Sequence, residues 1–526
     1  MRVLDEEVRR RLTIALLLSA IALLAGTYLA SIGPYWNISP DSATYVGLGQ
    51  SLARGEGFRD ASIQPPMASI VFAGVVATFG DGYLALNALT PILIFLSLAL
   101  LFVRFQGTVG TPHALLAVLL SLASTALYHE STQLQSEPTY MAFTAAALVL
   151  VGPAALSRRS GDSSGGRSRP EFEILAGVFL VAAALTRVIG ATLALAVLLV
   201  EGRAFLRHER RPRILLVSFA VLALFSVAIW NALLGQHYVQ DWFRMFSRVD
   251  AGYADSSSFS FARIATRLRD GARLLPATGG LLLNSWSTSH HRLDLLLQCA
   301  ALLTFVVGLV LALRRRIGVM GVYVLLYVLV VTVHMVGGGF DEYRFLVPVV
   351  PFLFYYAIGA VRALFALARA RRAGSGPIIA LQASALLYVA VFVGSGFRFE
   401  VSGVRDAHSS PFGSYPIKRP SNLDAERLAL WLRDHTSPQD QYASAQRDMF
   451  DVLTERHGLA LSPVQTSPHD AFVRWLSDQQ VRYLFVDHTA PGLRDSLMAV
   501  IRDYPDAFRL IERLPRESLY EVISRP

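Results

Sequence analysis

Runs of roughly 15 to 25 apolar residues recur along the first three quarters of the chain, each long enough to cross all or most of a hydrocarbon core about 30 Å thick. Leu12–Leu29, Tyr83–Val103, Ile214–Leu234 and Leu293–Leu313 are examples. A water-soluble fold has no use for so many of them, so the sequence specifies a membrane protein that crosses the bilayer repeatedly. Composition agrees: 17% of the 526 residues are charged and 53% are hydrophobic, whereas soluble domains carry about 25% charged residues. The formal charge of +9 does not indicate nucleic acid, because the arginines fall in short loops between apolar runs, where they act as orientation signals. The single cysteine, Cys299, lies inside an apolar run and excludes an internal disulfide or a cysteine-based metal site.

The first run follows Arg9, Arg10 and Arg11 as a secretory leader would. Its apolar core is too long and Tyr28–Pro34 offers no small-residue cleavage site, so a retained helix is expected. With the arginine-rich loops assigned to the cytoplasm, the bookkeeping closes. The N-terminus, Arg158–Arg169, Arg203–Arg213, Arg314–Arg316 and Arg369–Arg372 all fall inside, and the C-terminus falls outside. This requires Met67–Phe79 to be a half-helix, His113–Tyr128 to be one span, and Ile378–Val393 to be the last. Leu175–Val200 is too long for a single span, and an arginine at its centre would cost about 2.5–3.5 kcal/mol in lipid. The run therefore splits into two short helices with Arg187 at an outer turn. The expected fold is an α-helical polytopic membrane protein of about 11 to 13 transmembrane helices, with interfacial helices in the first outer loop.

The tail differs in composition. Residues 398–526 read as a small extracytoplasmic α/β domain following a transmembrane domain of residues 1–397. Helical spacing is visible in Asp424–Arg433, Ala471–Ser477 and Pro491–Tyr504, and strands in Val481–Asp487 and Ser518–Ile523.

Unusual polar residues gather in the outer loops. In loop one Ser39 suits an N-cap and Pro40 the first helical position, Tyr45, Leu48 and Leu52 form an apolar stripe, and Gly55 ends the helix. Asp41 falls in the first turn, where the helix dipole favours a carboxylate, and it either supports the cap or does chemistry. Loop two holds His129, Glu130 and Ser136-Glu137-Pro138, again an acid at the start of a proline-opened helix. Arg187 and Arg344 add guanidinium groups at the same face, whose planar fork suits phosphate. Acids and arginines beside a lipid phase fit a lipid-phosphate substrate. His237, Tyr238, Trp242, His290 and His291 stand in the long outer loop without the spacing of metal ligands, and no zinc site is expected.

Four segments carry a resemblance to the GT-C glycosyltransferases, in the branch of the aminoarabinose transferases and protein O-mannosyltransferases. They are Ser39-Pro40-Asp41-Ser42-Ala43-Thr44-Tyr45 leading through Gly55-Glu56-Gly57-Phe58 to Pro65-Pro66, then Ser136-Glu137-Pro138, Leu185-Thr186-Arg187-Val188-Ile189-Gly190, and Tyr343-Arg344-Phe345-Leu346-Val347-Pro348. The resemblance covers about residues 10–400. The resemblance implies a transferase that takes a sugar from a polyprenyl-phosphate carrier and passes it to a glycolipid, polysaccharide or protein acceptor at the outer face of the cytoplasmic membrane. It implies that Asp41 is the catalytic carboxylate orienting or deprotonating the acceptor hydroxyl, with Glu137 the family's second acidic position. Arg187 and Arg344 would hold the carrier phosphate and stabilise its charge as it leaves, with Tyr45, Gln64, Pro65, His129 and Tyr343 as candidate cavity-lining residues. Where the family often has two adjacent acids, Asp41 is followed by Ser42, so no cofactor or divalent metal is called for. Gln64 stands where some relatives carry a lysine, which implies donor recognition different from that of the aminoarabinose enzymes. The competing reading is a transporter or flippase of lipid-linked saccharides, a class that shows paired repeats and midplane charge. No such repeat is visible here.

Overall fold

The computed structural model describes residues 6–33, 40–58, 65–80, 82–152, 170–209, 212–233, 269, 271–272, 275–284, 292–334, 340–371, 375–409, 420–445, 447–461, 468–487, 491–515 and 517–523. The chain divides into two compact units. One comprises Met1–Ile32, Ala61–Val71 and Ala88–Val404; the other comprises Gly33–Asp60, Phe72–Asn87 and Arg405–Pro526.

The helices run, in order, α1 (Glu6–Ala30), α2 (Pro40–Ala53), α3 (Met67–Phe79), α4 (Tyr83–Val109), α5 (Thr111–Leu122), α6 (Thr125–Ser131), α7 (Ser136–Val151) and α8 (Pro170–Thr186). A 3-10 turn (Val188–Gly190) leads into α9 (Ala191–Leu206), α10 (Ile214–Leu233), α11 (Leu275–Leu281), α12 (Arg292–Arg315) and α13 (Val319–His334). A second 3-10 segment (Phe340–Val349) opens α14 (Val350–Ala370), and α15 (Ser375–Ser409) follows. Among the described residues seven helices are long and apolar enough to cross a membrane, eight if the bent pair α5–α6 counts as one span. α3, α7 and the Val319–Thr332 part of α13 are apolar but shorter. Exposed leucines such as Leu16, Leu206, Leu233 and Leu386 are what a surface facing lipid requires, since apolar side chains there meet hydrocarbon rather than water. This is a multi-pass α-helical membrane protein.

Three features depart from the sequence-based expectation, each for a physical reason. The run His113–Tyr128 is not one straight span but bends by 64° between α5 and α6. Asn284 is inserted at the break: its Nδ2 donates to the Ala123 carbonyl at 2.9 Å, and its Oδ1 accepts the Thr125 amide at 3.0 Å. A side chain that takes up the helix's own carbonyl and amide interrupts the hydrogen-bond ladder and permits the kink. Gly396 of α15 lies against the same carbonyl, where a Cβ would come within 2.1 Å of the oxygen. Second, α15 does not end near residue 393 but continues to Ser409. Its C-terminal half is tied to α1, where Thr27 contacts the Glu400 carboxyl, and to α6, where Tyr128 donates to the Glu400 carbonyl at 3.2 Å. Third, α2 is not a one-sided amphipathic helix, because Ala43 and Val46 are as buried as Tyr45 and Leu48.

The split of Leu175–Val200 is as the cost of a mid-run arginine requires. α8 ends at Thr186, Arg187 is extended (φ −150°, ψ 136°), and α9 resumes beyond the 3-10 turn. Gly190 closes that turn against α8, where a Cβ would sit 2.5 Å from the Ala183 carbonyl oxygen.

In the second unit, α16 (Pro420–His435) precedes a five-stranded sheet of β1 (Gln441–Ser444), β2 (Leu459–Ala460), β3 (Val481–Asp487), β4 (Phe508–Arg513) and β5 (Glu517–Val522). The strand order is β2-β1-β3-β5-β4, with β2-β1-β3 parallel and β3-β5-β4 antiparallel. Parallel neighbours need crossover helices, and α17 (Arg447–Thr454) and α18 (His469–Asp478) supply them, with α19 (Pro491–Asp503) joining β3 to the antiparallel edge. Phe472, Leu476, Leu484, Val486, Leu497 and Val500 form the core. β1, α17 and β4 had no visible sequence signal. Helix α2 packs on α17, with Gly47 facing Val452.

Candidate functional site

Glu137 occupies the first turn of α7 and is completely buried. A lone ionised carboxylate there would cost several kcal/mol, and the chain answers with two guanidinium groups. Arg187, carried by the extended residue between α8 and the 3-10 turn, makes an ion pair with Glu137 Oε1. Its Nη1 also donates to Ser136 Oγ at 3.2 Å. Arg344 approaches the same oxygen through Nε at 3.8 Å, an electrostatic contact beyond hydrogen-bond range. One carboxylate thus faces two guanidiniums, whose planar forks of donors suit a phosphate.

Phe345 organises the pair. The Arg187 guanidinium lies 4.9 Å and that of Arg344 5.2 Å from the centroid of its ring, within the range of cation–π attraction. The backbone of Phe345 is held by Tyr327 of α13, whose hydroxyl donates to its carbonyl at 2.6 Å. Tyr327 stacks on Tyr140, one turn below Glu137 on α7, and the Tyr140 and Tyr323 hydroxyls are 3.1 Å apart. Three buried tyrosines thus tie the helix that presents Glu137 to the helix that fixes the Arg344–Phe345 segment. Ser136 and Phe345 stood in segments quoted from the sequence but were given no role, and Tyr327 was not among them. Phe345 and Ser136 sit beside charged residues that were given one, while Tyr327 carries no local signal.

The remaining sequence candidates are distributed as follows. His129, on α6, pairs its Nε2 with Gln133 Nε2 at 3.0 Å. Asp41 lies half-buried in the first turn of α2, in the other unit, as does the buried Tyr45. Gly55 has φ 75° and closes α2, while Ser51 Oγ donates to the Gly57 carbonyl at 3.0 Å. Pro65 is buried. Gln64, the side chain of Tyr343, and His237, Tyr238, Trp242, His290 and His291 lie outside the described residues. Among the described residues no three His, Cys, Asp or Glu side chains gather closely enough to hold a metal ion.

The chain matches no family profile and no curated protein. Solved structures do match over nearly its whole length. ArnT from Cupriavidus metallidurans, bound to undecaprenyl phosphate, is 12% identical with a TM-score of 0.59, covering 97% of this chain and 98% of that one. The same protein in the apo state gives 14% identity and a TM-score of 0.60, over 96% and 98%. The oligosaccharyltransferase of Archaeoglobus fulgidus, tethered to an acceptor peptide, is 13% identical with a TM-score of 0.56, covering 97% of this chain and 74% of that one. ArnT and the archaeal oligosaccharyltransferase are both GT-C glycosyltransferases. The chain therefore has the GT-C fold, that of a multi-pass membrane protein with a small C-terminal sheet region.

Proposed function

We propose that the protein is a glycosyltransferase that moves a sugar from a polyprenyl-phosphate carrier to an acceptor hydroxyl at the outer face of the cytoplasmic membrane. The observation that carries this reading is the Glu137–Arg187–Arg344 cluster, two guanidiniums on one carboxylate, built on helix ends around Phe345, in a chain of GT-C fold. Arg187 and Arg344 bind the carrier phosphate and offset its charge as the glycosidic bond to it breaks. Glu137 holds the two guanidiniums in place between turnovers. Asp41 takes the proton of the acceptor hydroxyl or orients it, because a neutral alcohol is a weak nucleophile toward the anomeric carbon. That the neighbouring ArnT structure contains undecaprenyl phosphate supports the carrier class. The sugar, attached to the same phosphate, is left open by these residues, and no metal is assigned a part.

The test is turnover of labelled polyprenyl-phosphate sugars by the purified protein in detergent. Wild type should release carrier phosphate with at least one donor, and Asp41→Asn should lose that release by about 100-fold or more, as removal of a general base does. Equal release by both, for every donor tried, would remove the transferase reading. Movement of intact lipid-linked sugar across a vesicle membrane without carrier release would favour a flippase.

A further inference from the structure

At the other end of α7, about 22 Å along the helix from Glu137, a second group of cations converges. Arg104 of α4 packs its guanidinium against Gly152, the residue capping α7, so closely that a Cβ there would come within 2.7 Å of Nη1. Its Nε is shut off from solvent with no hydrogen-bond partner among the described residues. Arg316, just past the end of α12, is near enough to repel it, and Tyr355 and Tyr356 of α14 lie within electrostatic reach of it. The Tyr355 ring stacks on Phe105 with centroids 4.4 Å apart, and its hydroxyl is 2.8 Å from Thr108 Oγ1. Arg362 is also near, donating to the Val109 carbonyl at 3.0 Å. No carboxylate among the described residues pairs with Arg104 or Arg316.

A half-buried guanidinium with a second one within electrostatic reach, and no acid paired with either among the described residues, is held at an energetic cost that a bound anion would offset. Both stand where apolar helices end: α4 and α12 finish here and α13 begins here. That is the depth at which phospholipid headgroups lie, and basic pockets between helices at this depth suit anionic lipids. We propose that Arg104 and Arg316, with the hydroxyls of Tyr355 and Tyr356, bind the phosphate headgroup of an anionic phospholipid at the membrane boundary opposite the Glu137 cluster. The guanidiniums hold the phosphate oxygens through charge-assisted hydrogen bonds, and the lipid's acyl chains lie along the apolar outer surface of α4 and α12. Because the site lies at the opposite end of α7, about 22 Å along the helix from Glu137, it is independent of the proposed transfer reaction.

The full-length protein, purified and stripped of lipid, is titrated with phosphatidylglycerol, phosphatidylcholine or inorganic phosphate, and bound species are counted by native mass spectrometry. Wild type should retain phosphatidylglycerol. Arg316→Gln should weaken that retention about fivefold and Arg104→Gln/Arg316→Gln roughly thirtyfold. Arg10→Gln, an exposed arginine of α1 paired with Glu7, should leave it unchanged, as all variants should leave phosphatidylcholine retention. If the double variant does not fold, the exposed Arg316 decides through its single substitution. Equal phosphatidylglycerol affinity in wild type and Arg316→Gln would overturn the proposal. So would displacement of the lipid by equimolar inorganic phosphate, which would mark a site for a free anion.

Discussion

The most informative perturbation is the simultaneous removal of Arg187 and Glu137. Glu137 is fully buried, whereas the side chains of Arg187 and Arg344 keep 12% and 25% of their accessible surface. Replacing Arg187 with Met leaves Arg344, at 3.8 Å, as the guanidinium facing the carboxylate among the described residues. Breaking a buried pair costs about 3–5 kcal/mol, and the residual attraction to Arg344 puts the expected loss near the lower bound, about 3 kcal/mol. Replacing Glu137 with Leu takes one carboxylate partner from two guanidiniums that still reach water, at a cost of about 2 kcal/mol after solvent screening. The double replacement removes charge on both sides and should cost only about 1 kcal/mol, since an apolar pair of similar volume substitutes well for a buried ion pair. The cycle therefore predicts a coupling of about 4 kcal/mol, read from unfolding in mixed micelles followed by tryptophan fluorescence. It also separates structure from chemistry. The double variant should be nearly as stable as wild type yet inactive in carrier release, because the phosphate has lost half of its clamp. Additive single effects, within about 0.5 kcal/mol, would refute the pairing, and an active double variant would refute its role.

Three further outcomes follow from the same geometry. Tyr327→Phe removes the hydroxyl that donates to the Phe345 carbonyl, and the loss of that hydrogen bond should cost about 0.5–1.5 kcal/mol. Donor KM should rise with little change in kcat, and an unchanged KM would deny Tyr327 its positioning role. Gly190→Ala places a Cβ 2.5 Å from the Ala183 carbonyl oxygen, so the turn carrying Arg187 must shift. Stability should fall by about 1–3 kcal/mol and carrier release with it, whereas wild-type behaviour would show the turn to be pliable. In the C-terminal unit, burial raises the Asp451 carboxyl above the ordinary carboxylate range, against the opposing bonds from Tyr442 and Gly458 and the charges of Arg447 and His457. A raised folded value means that its contribution to stability is complete below the unfolded value of about 3.9 and is lost as pH rises through the folded one. Asp451→Asn, which stays neutral, should gain in melting temperature relative to wild type as pH rises above about 4, and a pH-independent difference would contradict this.

The parts of the fold that were legible in the sequence were those set by cost. An arginine in mid-run is too expensive for lipid, so the break at Arg187 could be placed to the residue, as could the helix opened by Pro40 and closed by Gly55. The α5–α6 bend was not legible, because no proline, glycine or charge marks Ala123 and Ser124. Its cause is Asn284, 161 residues away from Ala123 in the sequence, which only the folded chain brings to that carbonyl. β1 and β4 escaped notice for a related reason: β1 has four residues and β4 alternates weakly, so neither shows a period long enough to read. At the site, charge pointed to Glu137, Arg187 and Arg344. The aromatic element they share, Phe345, was hidden because a phenylalanine beside an arginine in an apolar stretch looks like any other core residue.

The central claim, that Arg187 and Arg344 around Phe345 form a phosphate clamp for a polyprenyl carrier, is tested most directly by binding. Purified wild type, Arg344→Gln and Arg187→Met/Glu137→Leu are titrated with polyprenyl phosphate and with the uncharged polyprenol of the same length. Wild type should prefer the phosphate, and Arg344→Gln should weaken phosphate binding by about 10- to 150-fold, the worth of one charged hydrogen-bond partner, while polyprenol binding stays the same in all three. If wild type binds both lipids equally, or if Arg344→Gln binds the phosphate as well as wild type does, the clamp is not where the carrier is held.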